Sequence, residues 1–331
     1  MAKDAPPPTA DNASGILYRS CSLCPRACGV DRPAGDRGFC GQGISPRVAW
    51  AGLHFGEEPP ITGTGGSGAV FFSGCNVRCC FCQNRQISHG GLGTDLRPVD
   101  LTRLLLALQE AGVENLNLVT GTPHLPAVLE ALAAARLLGL ALPVVWNTSS
   151  YETTKSLDLL DPEVDVYLAD LKTLDAELAN DLCGAPDYPD IARRALAAMA
   201  EQKPLRFQKD ELASGVIVRH LVLPGRLEST RRCLEWYREN LGSDALLSLM
   251  FQYTPAPEIR ETRGGSVLPT RGVSRAEQDK VLNWVAELDI ENGFIQDLPD
   301  DASWLPDFSR VDPFPPGQAR TLWHWKAVST P

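Results

Sequence analysis

The sequence predicts an α/β fold, a partial (β/α)6 barrel, and three observations predict it. From residue 69 onward, short apolar runs alternate with longer stretches of helical periodicity. Such alternation builds right-handed βαβ units on a parallel sheet, and six strands fit a partial barrel. A doubly wound sheet would carry a phosphate-binding fingerprint after its first strand, whereas this chain carries cysteines there.

The expected strands are 69–72, 116–119, 143–146, 165–169, 216–222 and 246–251. The expected helices are 99–112, 125–138, 152–160, 187–202, 227–241 and 274–289. The first strand is the apolar run Ala69-Val70-Phe71-Phe72. In the first helix Asp100 reads as a cap before Leu101, Leu104, Leu105 and Leu108 at helical spacing. The barrel occupies 69–295. Before it come a Pro-, Ala- and Ser-rich tail (1–15), expected to be mobile, and a Cys-rich appendage (16–68). After it comes an irregular extension (296–331) rich in Pro and Trp, expected to wrap the barrel or a neighbour.

A length of 331 residues suits one large α/β domain with an appendage. The net charge of −10 argues against nucleic acid as the main partner. The start of the chain lacks the pattern of a signal peptide, and no apolar run reaches membrane-spanning length, so a cytoplasmic protein is expected. Eight of the ten cysteines precede residue 83. In a cytosolic chain such clustering favours metal or redox chemistry. Cys183 and Cys233, alone in helical patterns, read as structural.

Cys75, Cys79 and Cys82 form a C-x3-C-x2-C set in one short loop after the first strand. Three thiolates this close can reach one metal centre. On a [4Fe–4S] cluster they leave one iron open for an outside ligand. A zinc site or buried thiols are the competing readings. Zinc would need a fourth ligand, and Cys80, adjacent to Cys79, points the other way on an extended loop and reads as a small hydrophobe.

This loop, with Phe81 before the last cysteine, resembles that of the radical S-adenosylmethionine (SAM) enzymes. Its Cys-Asn-x-Arg-Cys opening and Cys-x-Asn ending resemble the activases of glycyl-radical enzymes. The resemblance covers roughly 70–253 at motif level. It implies a [4Fe–4S] cluster on Cys75, Cys79 and Cys82, with SAM on the open iron through its amino and carboxylate groups. A low-potential donor, flavodoxin or ferredoxin, would supply one electron. Cleavage of SAM would give a 5′-deoxyadenosyl radical that takes hydrogen from a substrate, in the activases from a protein or peptide Cα. A peptide side chain or a small molecule is the alternative substrate. From another class, a non-catalytic zinc- or iron-binding protein is the alternative to an enzyme.

The strand ends carry the rest, as in barrels generally. Thr120-Gly121-Thr122-Pro123-His124 stands where these enzymes have a Gly-Gly-Glu type motif. It lacks the second Gly and the Glu, so Gly121 and Thr122 are left to offer backbone to the SAM amino group. His124 faces substrate or caps the next helix. Asn147 ends the third strand. Asp170-Leu171-Lys172 matches the activases' Asp-Leu-Lys, where Asp and Lys help hold SAM. Arg219, inside an apolar strand, requires a carboxylate partner, while His220 points to the other face. Gln252 and Tyr253 stand near where the activases have a SAM-contacting His.

Two further groups precede the barrel. Cys21, Cys24, Cys28 and Cys40, set among glycines and prolines, fit a closed zinc site or a second iron–sulfur cluster, and the spacing does not choose. Residues 47–68 resemble the approach to the first strand in an uncharacterised branch of activase-like proteins. The Gly-rich 62–68 reads as a close backbone approach or a flexible connector. His54, Glu57 and Glu58 are acid/base or metal candidates there.

Overall fold

The structure, a computed structural model, describes residues 13–255, 265, 268–299 and 304–327. The tail expected at 1–15 lies outside the described residues up to residue 12. The strands in chain order are β1 (Arg47–His54), β2 (Ser67–Phe72), β3 (Thr94–Asp95), β4 (Asn115–Val119), β5 (Val144–Thr148), β6 (Val166–Asp170), β7 (Arg206–Gln208), β8 (Glu211–Leu221), β9 (Leu246–Met250), β10 (Gly293–Ile295) and β11 (Ala319–His324). The helices are α1 (Ala13–Tyr18), α2 (Pro59–Thr62), α3 (Arg85–Ser88), α4 (Pro98–Glu110), α5 (Leu125–Leu137), α6 (Thr154–Leu160), α7 (Ala176–Cys183), α8 (Tyr188–Gln202), α9 (Leu227–Asn240) and α10 (Arg275–Glu287).

The strand order is β10-β9-β8-β6-β5-β4-β2-β1-β11, and the two ends do not meet, so the sheet is an open, partial barrel. From β2 to β10 each neighbouring pair is parallel. All six expected strands form. Strand β8 begins earlier than expected because β7 folds back on it as a hairpin. Strand β10 adds a seventh parallel strand at the end of the expected 69–295 unit. Beyond β2 the sheet continues with β1 and then β11, both antiparallel to their neighbours. The extension after residue 295 is therefore not wholly irregular.

The six expected helices form, with α7 in addition. One local expectation is corrected. Asp100 does not cap α4, which starts earlier at Pro98, where proline's fixed φ suits a first turn. The Asp100 carboxylate instead accepts from the Arg97 guanidinium at 2.7 and 2.8 Å.

Strand periodicity divides the core. One face of β2–β9, including Val70, Leu118, Trp146, Tyr167, Val218 and Leu249, packs under the helices. The alternate residues face the barrel interior. There Ile61 of α2 meets Val145, Val166, Leu168, Ile217 and Leu246 and closes one end. Beside β1 and β2 an aromatic cluster of Trp50, Phe71, Phe308 and Phe314 fills the interior. The opposite end stays polar and opens to solvent at the C-terminal ends of the parallel strands.

The Cys-rich segment forms turns and docks against the loop that follows β2. Arg26 donates to the carbonyls of Asn76 (2.9 Å), Cys183 (3.0 Å) and Gly184 (2.6 Å). Arg78 donates back to the Phe39 carbonyl at 3.2 Å. At Gly74 φ is +80°, and a Cβ would lie 2.5 Å from the Gln42 side chain, so only glycine lets the two segments close.

Candidate active site

A cavity of about 700 Å³ opens at the C-terminal ends of the parallel strands, the ends where barrels carry their chemistry. Cys75, Cys79 and Cys82 line it, with Phe81. The Cys75 sulfur accepts the backbone N–H groups of Val77 (3.3 Å) and Arg78 (3.4 Å), and the Cys82 sulfur accepts the Ser88 hydroxyl at 3.3 Å. Burial pushes the Cys75 thiol up to about 12 and raises Cys82 as well. Cys79 is raised most, first by its contact with Cys183 and then by burial. Among the described residues no three His, Cys, Asp or Glu side chains already converge as a metal cage. The donor chemistry nevertheless suits iron: three thiols in one loop, those of Cys75 and Cys82 met by N–H and O–H donors, lining a cavity with room for a ligand.

The same cavity is lined by a charged network on the strand ends. Asp170 accepts from Lys172 at 2.9 Å and from Arg219 at 3.1 Å, and Arg219 also donates to Asn147 Oδ1 at 2.7 Å. Register explains the assembly, since Asp170 lies directly across from Arg219 on the neighbouring strand. Burial opposes the charge on Lys172, but the Asp170 carboxylate and the Cys79 sulfur outweigh it, and its pKa stands well above that of a free lysine. Burial likewise opposes the charge on Asp170, yet the two cations hold it below the usual carboxylate range. The carboxylate partner expected for Arg219 is thus Asp170, with Glu57 at 3.8 Å.

The other expected residues are distributed unevenly. Thr122, Asn147 and Gln252 line the cavity. Gly121 sits behind its wall, where a Cβ would lie 2.5 Å from the Trp146 ring. Thr122 donates to the buried Glu152, which Thr148 also meets, at 2.6 Å. His124 does not face the cavity. It is fully buried and its Nε2 bonds the Ser73 carbonyl at 2.9 Å, steadying the entry to the cysteine loop. His220 lies on the far face, as expected, bonded to the Leu171 carbonyl and to Thr230. Tyr253 turns away and donates to the Pro269 carbonyl. His54, Glu57 and Glu58 all line the cavity, on the loop between β1 and α2.

Sequence reasoning missed two contributions. Cys183, at the end of α7, is buried with its sulfur 3.5 Å from that of Cys79. Trp304, Phe314 and Gln318 of the extension also wall the cavity. The clustering of Trp and Pro in an otherwise aperiodic tail was the available signal. Cys233 is buried in α9, as a structural residue should be.

In the N-terminal segment Cys21 and Cys40 are buried, and Cys24 and Cys28 are half-buried. Phe39 N–H meets the Cys28 sulfur at 3.3 Å, and the buried Arg32 meets Cys40 at 3.5 Å. Arg32 also donates to the Pro123 carbonyl at 2.6 Å, tying this segment to the loop after β4. No helix among the described residues is long and apolar enough to cross a membrane.

A family model described as the Radical SAM superfamily matches residues 69–233. The uncharacterized protein MJ0674 of Methanocaldococcus jannaschii is 31% identical over 255 residues, covering 74% of this chain and 69% of that protein. Among solved structures, Streptococcus suis SuiB bound to S-adenosylmethionine aligns at 14% identity and TM-score 0.48, over 67% of this chain and 48% of SuiB, so the chain spans about half of that protein. A radical SAM methyltransferase from Sphaerobacter thermophilus aligns at 15% identity and TM-score 0.48, over 76% and 70% of the two chains. A domain of a pyruvate-formate lyase-activating enzyme from Bacteroides vulgatus aligns at 12% identity and TM-score 0.39, over 55% and 99%.

Proposed function

Since the chain belongs to the radical SAM superfamily, we propose that Cys75, Cys79 and Cys82 hold a [4Fe–4S] cluster and that the adjoining cavity binds SAM. The observation that carries this reading is the shared cavity: the three thiols and the Asp170–Lys172–Arg219–Asn147 network line it together, with Lys172 near the Cys79 and Cys82 sulfurs. Bound there, the cluster and SAM would supply radical chemistry that removes hydrogen from a substrate, with the electron coming from a low-potential donor such as flavodoxin or ferredoxin.

The chain's own residues would do the positioning. Lys172, held cationic by Asp170, is placed to meet the SAM carboxylate. Asp170 and Asn147 offer oxygens to the cationic and ribose parts of the cofactor, and Thr122 and Gln252 complete the wall. Gly121 supports this wall from behind, through Trp146. Phe81, Phe71 and Trp304 keep water from the reacting atoms.

The finer reading is an activase-like enzyme that takes hydrogen from a protein or peptide glycine. It rests on Asp170-Leu171-Lys172 and on the Arg219 strand. Cys21, Cys24, Cys28 and Cys40 are proposed as a second metal site, zinc or iron–sulfur, because an N–H donor meets the Cys28 sulfur and a guanidinium meets that of Cys40.

The test is anaerobic reconstitution followed by metal analysis, low-temperature EPR and SAM turnover with dithionite. About four irons per chain and 5′-deoxyadenosine are expected, or about eight irons if the N-terminal site holds a second cluster. Cys79→Ala should abolish cleavage and leave the circular dichroism spectrum unchanged. Cleavage retained in that variant overturns the assignment.

A further inference from the structure

The cofactor reading leaves the deep end of the cavity unused. The loop Phe55–Glu58 turns into the barrel because Ile61, just beyond it, is drawn into the inner apolar layer. Glu57 and Glu58 are carried in with it. Glu57 lies 3.6 Å from His54 Nδ1 and 3.8 Å from Arg219, whose shorter bonds go to Asp170 and Asn147. Glu58 is 3% exposed, and its Oε2 has no hydrogen-bond partner among the described residues.

Two neighbours share that condition. Asn117 of β4 and Ser248 of β9 are fully buried, with both amide atoms of the first and the hydroxyl of the second unpartnered. Burial raises the pKa of Glu57 and of Glu58, opposed first by Arg219 and then by the nearby Asn117 amide at Glu57 and Ser248 hydroxyl at Glu58, neither of which makes a hydrogen bond of sound geometry to them. Ser248 is in register with Arg219, and Arg219 with Asp170, so the group stands at the level of the charged network.

The chemistry of these atoms selects a ligand. The Glu57 and Glu58 carboxyl groups, which line the cavity, accept hydrogen bonds when ionised, and the fully buried Asn117 amide and Ser248 hydroxyl stand behind them. An ammonium group brings three N–H donors and one positive charge. A bound cation would also offset the burial that raises Glu57 and Glu58, a charge His54 does not supply, because burial holds it neutral with its pKa lowered to about 4. Phe71 and Phe314 wall the cavity near His54 and suit an alkyl stem.

We propose that Glu57 and Glu58, backed by Asn117 and Ser248, form a substrate subsite for an alkylammonium group. The subsite rests on the preceding reading, in which the cysteine end of the same cavity takes SAM.

The probe is n-butylammonium, titrated by calorimetry and by saturation-transfer NMR into full-length, cluster-loaded protein, beside n-butanol. The ammonium should bind at least tenfold more tightly than the alcohol and should persist under saturating SAM. Glu58→Gln should weaken the ammonium at least tenfold and leave the alcohol unchanged, with circular dichroism reporting the fold. Glu57→Gln provides a second variant, with the same loss expected. Equal binding of amine and alcohol, displacement by SAM, or unchanged affinity in both variants overturns the subsite. Nα-acetyl-lysine methylamide in parallel separates sources: tighter binding than butylammonium points to a lysyl side chain, weaker binding to a free amine, and either supports the class. SAM cleavage read on the same preparation keeps the two proposals apart. Cleavage without ammonium binding overturns the subsite alone, and ammonium binding without cleavage overturns the cofactor assignment alone.

Discussion

At the scale of single residues, buried groups decide both chemistry and stability. His220 is held neutral, its pKa lowered to about 4 by burial despite its bond to the Leu171 carbonyl. In the unfolded chain a histidine titrates near 6.5. Between those values the unfolded chain takes up a proton that the fold refuses. His220 therefore withdraws stability as pH falls from about 6.5 to about 4, by up to roughly 1.4 kcal/mol per pH unit. His220→Gln should be less stable than the parent at pH 8, through altered bonds to Leu171 and Thr230. Its urea-unfolding free energy should nevertheless fall less steeply below pH 6.5, and parallel pH profiles would contradict the account. Much of this scale was legible. Asp170 and Lys172 could be named from their resemblance to the activases' Asp-Leu-Lys at a strand end, and Arg219 because a charge inside an apolar strand needs a partner. Glu57 and Glu58 could only be flagged, because nothing in a Gly-rich stretch says that the following Ile61 will pull them inward. Cys183 was read as structural because helical spacing shows which face is buried and not which sulfur lies across from it.

At the scale of elements, the contacts between the Cys-rich segment and the loop after β2 depend on few residues. Arg26 alone serves three main-chain carbonyls on two other segments, and its guanidinium lies 3.9 Å from the Phe39 ring centroid. Arg26→Met keeps an apolar stem but strands those carbonyls. It should cost roughly 2–4 kcal/mol in urea unfolding and expose residues 75–84 to faster proteolysis. An unchanged digestion pattern would show that the loop stands by itself. The parallel strands and long helices were legible because apolar periodicity is strong in elements buried on a whole face. The flanking strands were not. Arg47–His54 mixes Ala and Gly with Trp, Gly293–Ile295 has three residues, and Ala319–His324 lies in a Pro-rich tail. Each is a strand because of its neighbour in the sheet, and local propensity carries little of that signal.

At the scale of the whole molecule, one sheet joins the Cys-rich segment, the barrel and the extension. Strand β11 covers the outer edge of β1, and Trp50 Nε1 donates to the Thr321 hydroxyl at 2.8 Å. The extension also brings Phe308 and Phe314 onto Phe71. A chain ending at residue 299 would bare that edge and the rings beneath it, and should run as aggregates in size-exclusion chromatography with light scattering. A monodisperse monomer would refute this.

The pairing of β1 with β11 also sets an order in time. Among the strands described, the earliest to be synthesised waits for the latest before its outer edge is covered. On the ribosome the cysteine loop emerges long before Trp304, Phe314 and Gln318, which wall the same cavity. A nascent chain thus displays its thiols to oxygen and to loose metal ions while one wall is still missing. The proposed metal site is therefore complete only once the extension has folded onto the barrel.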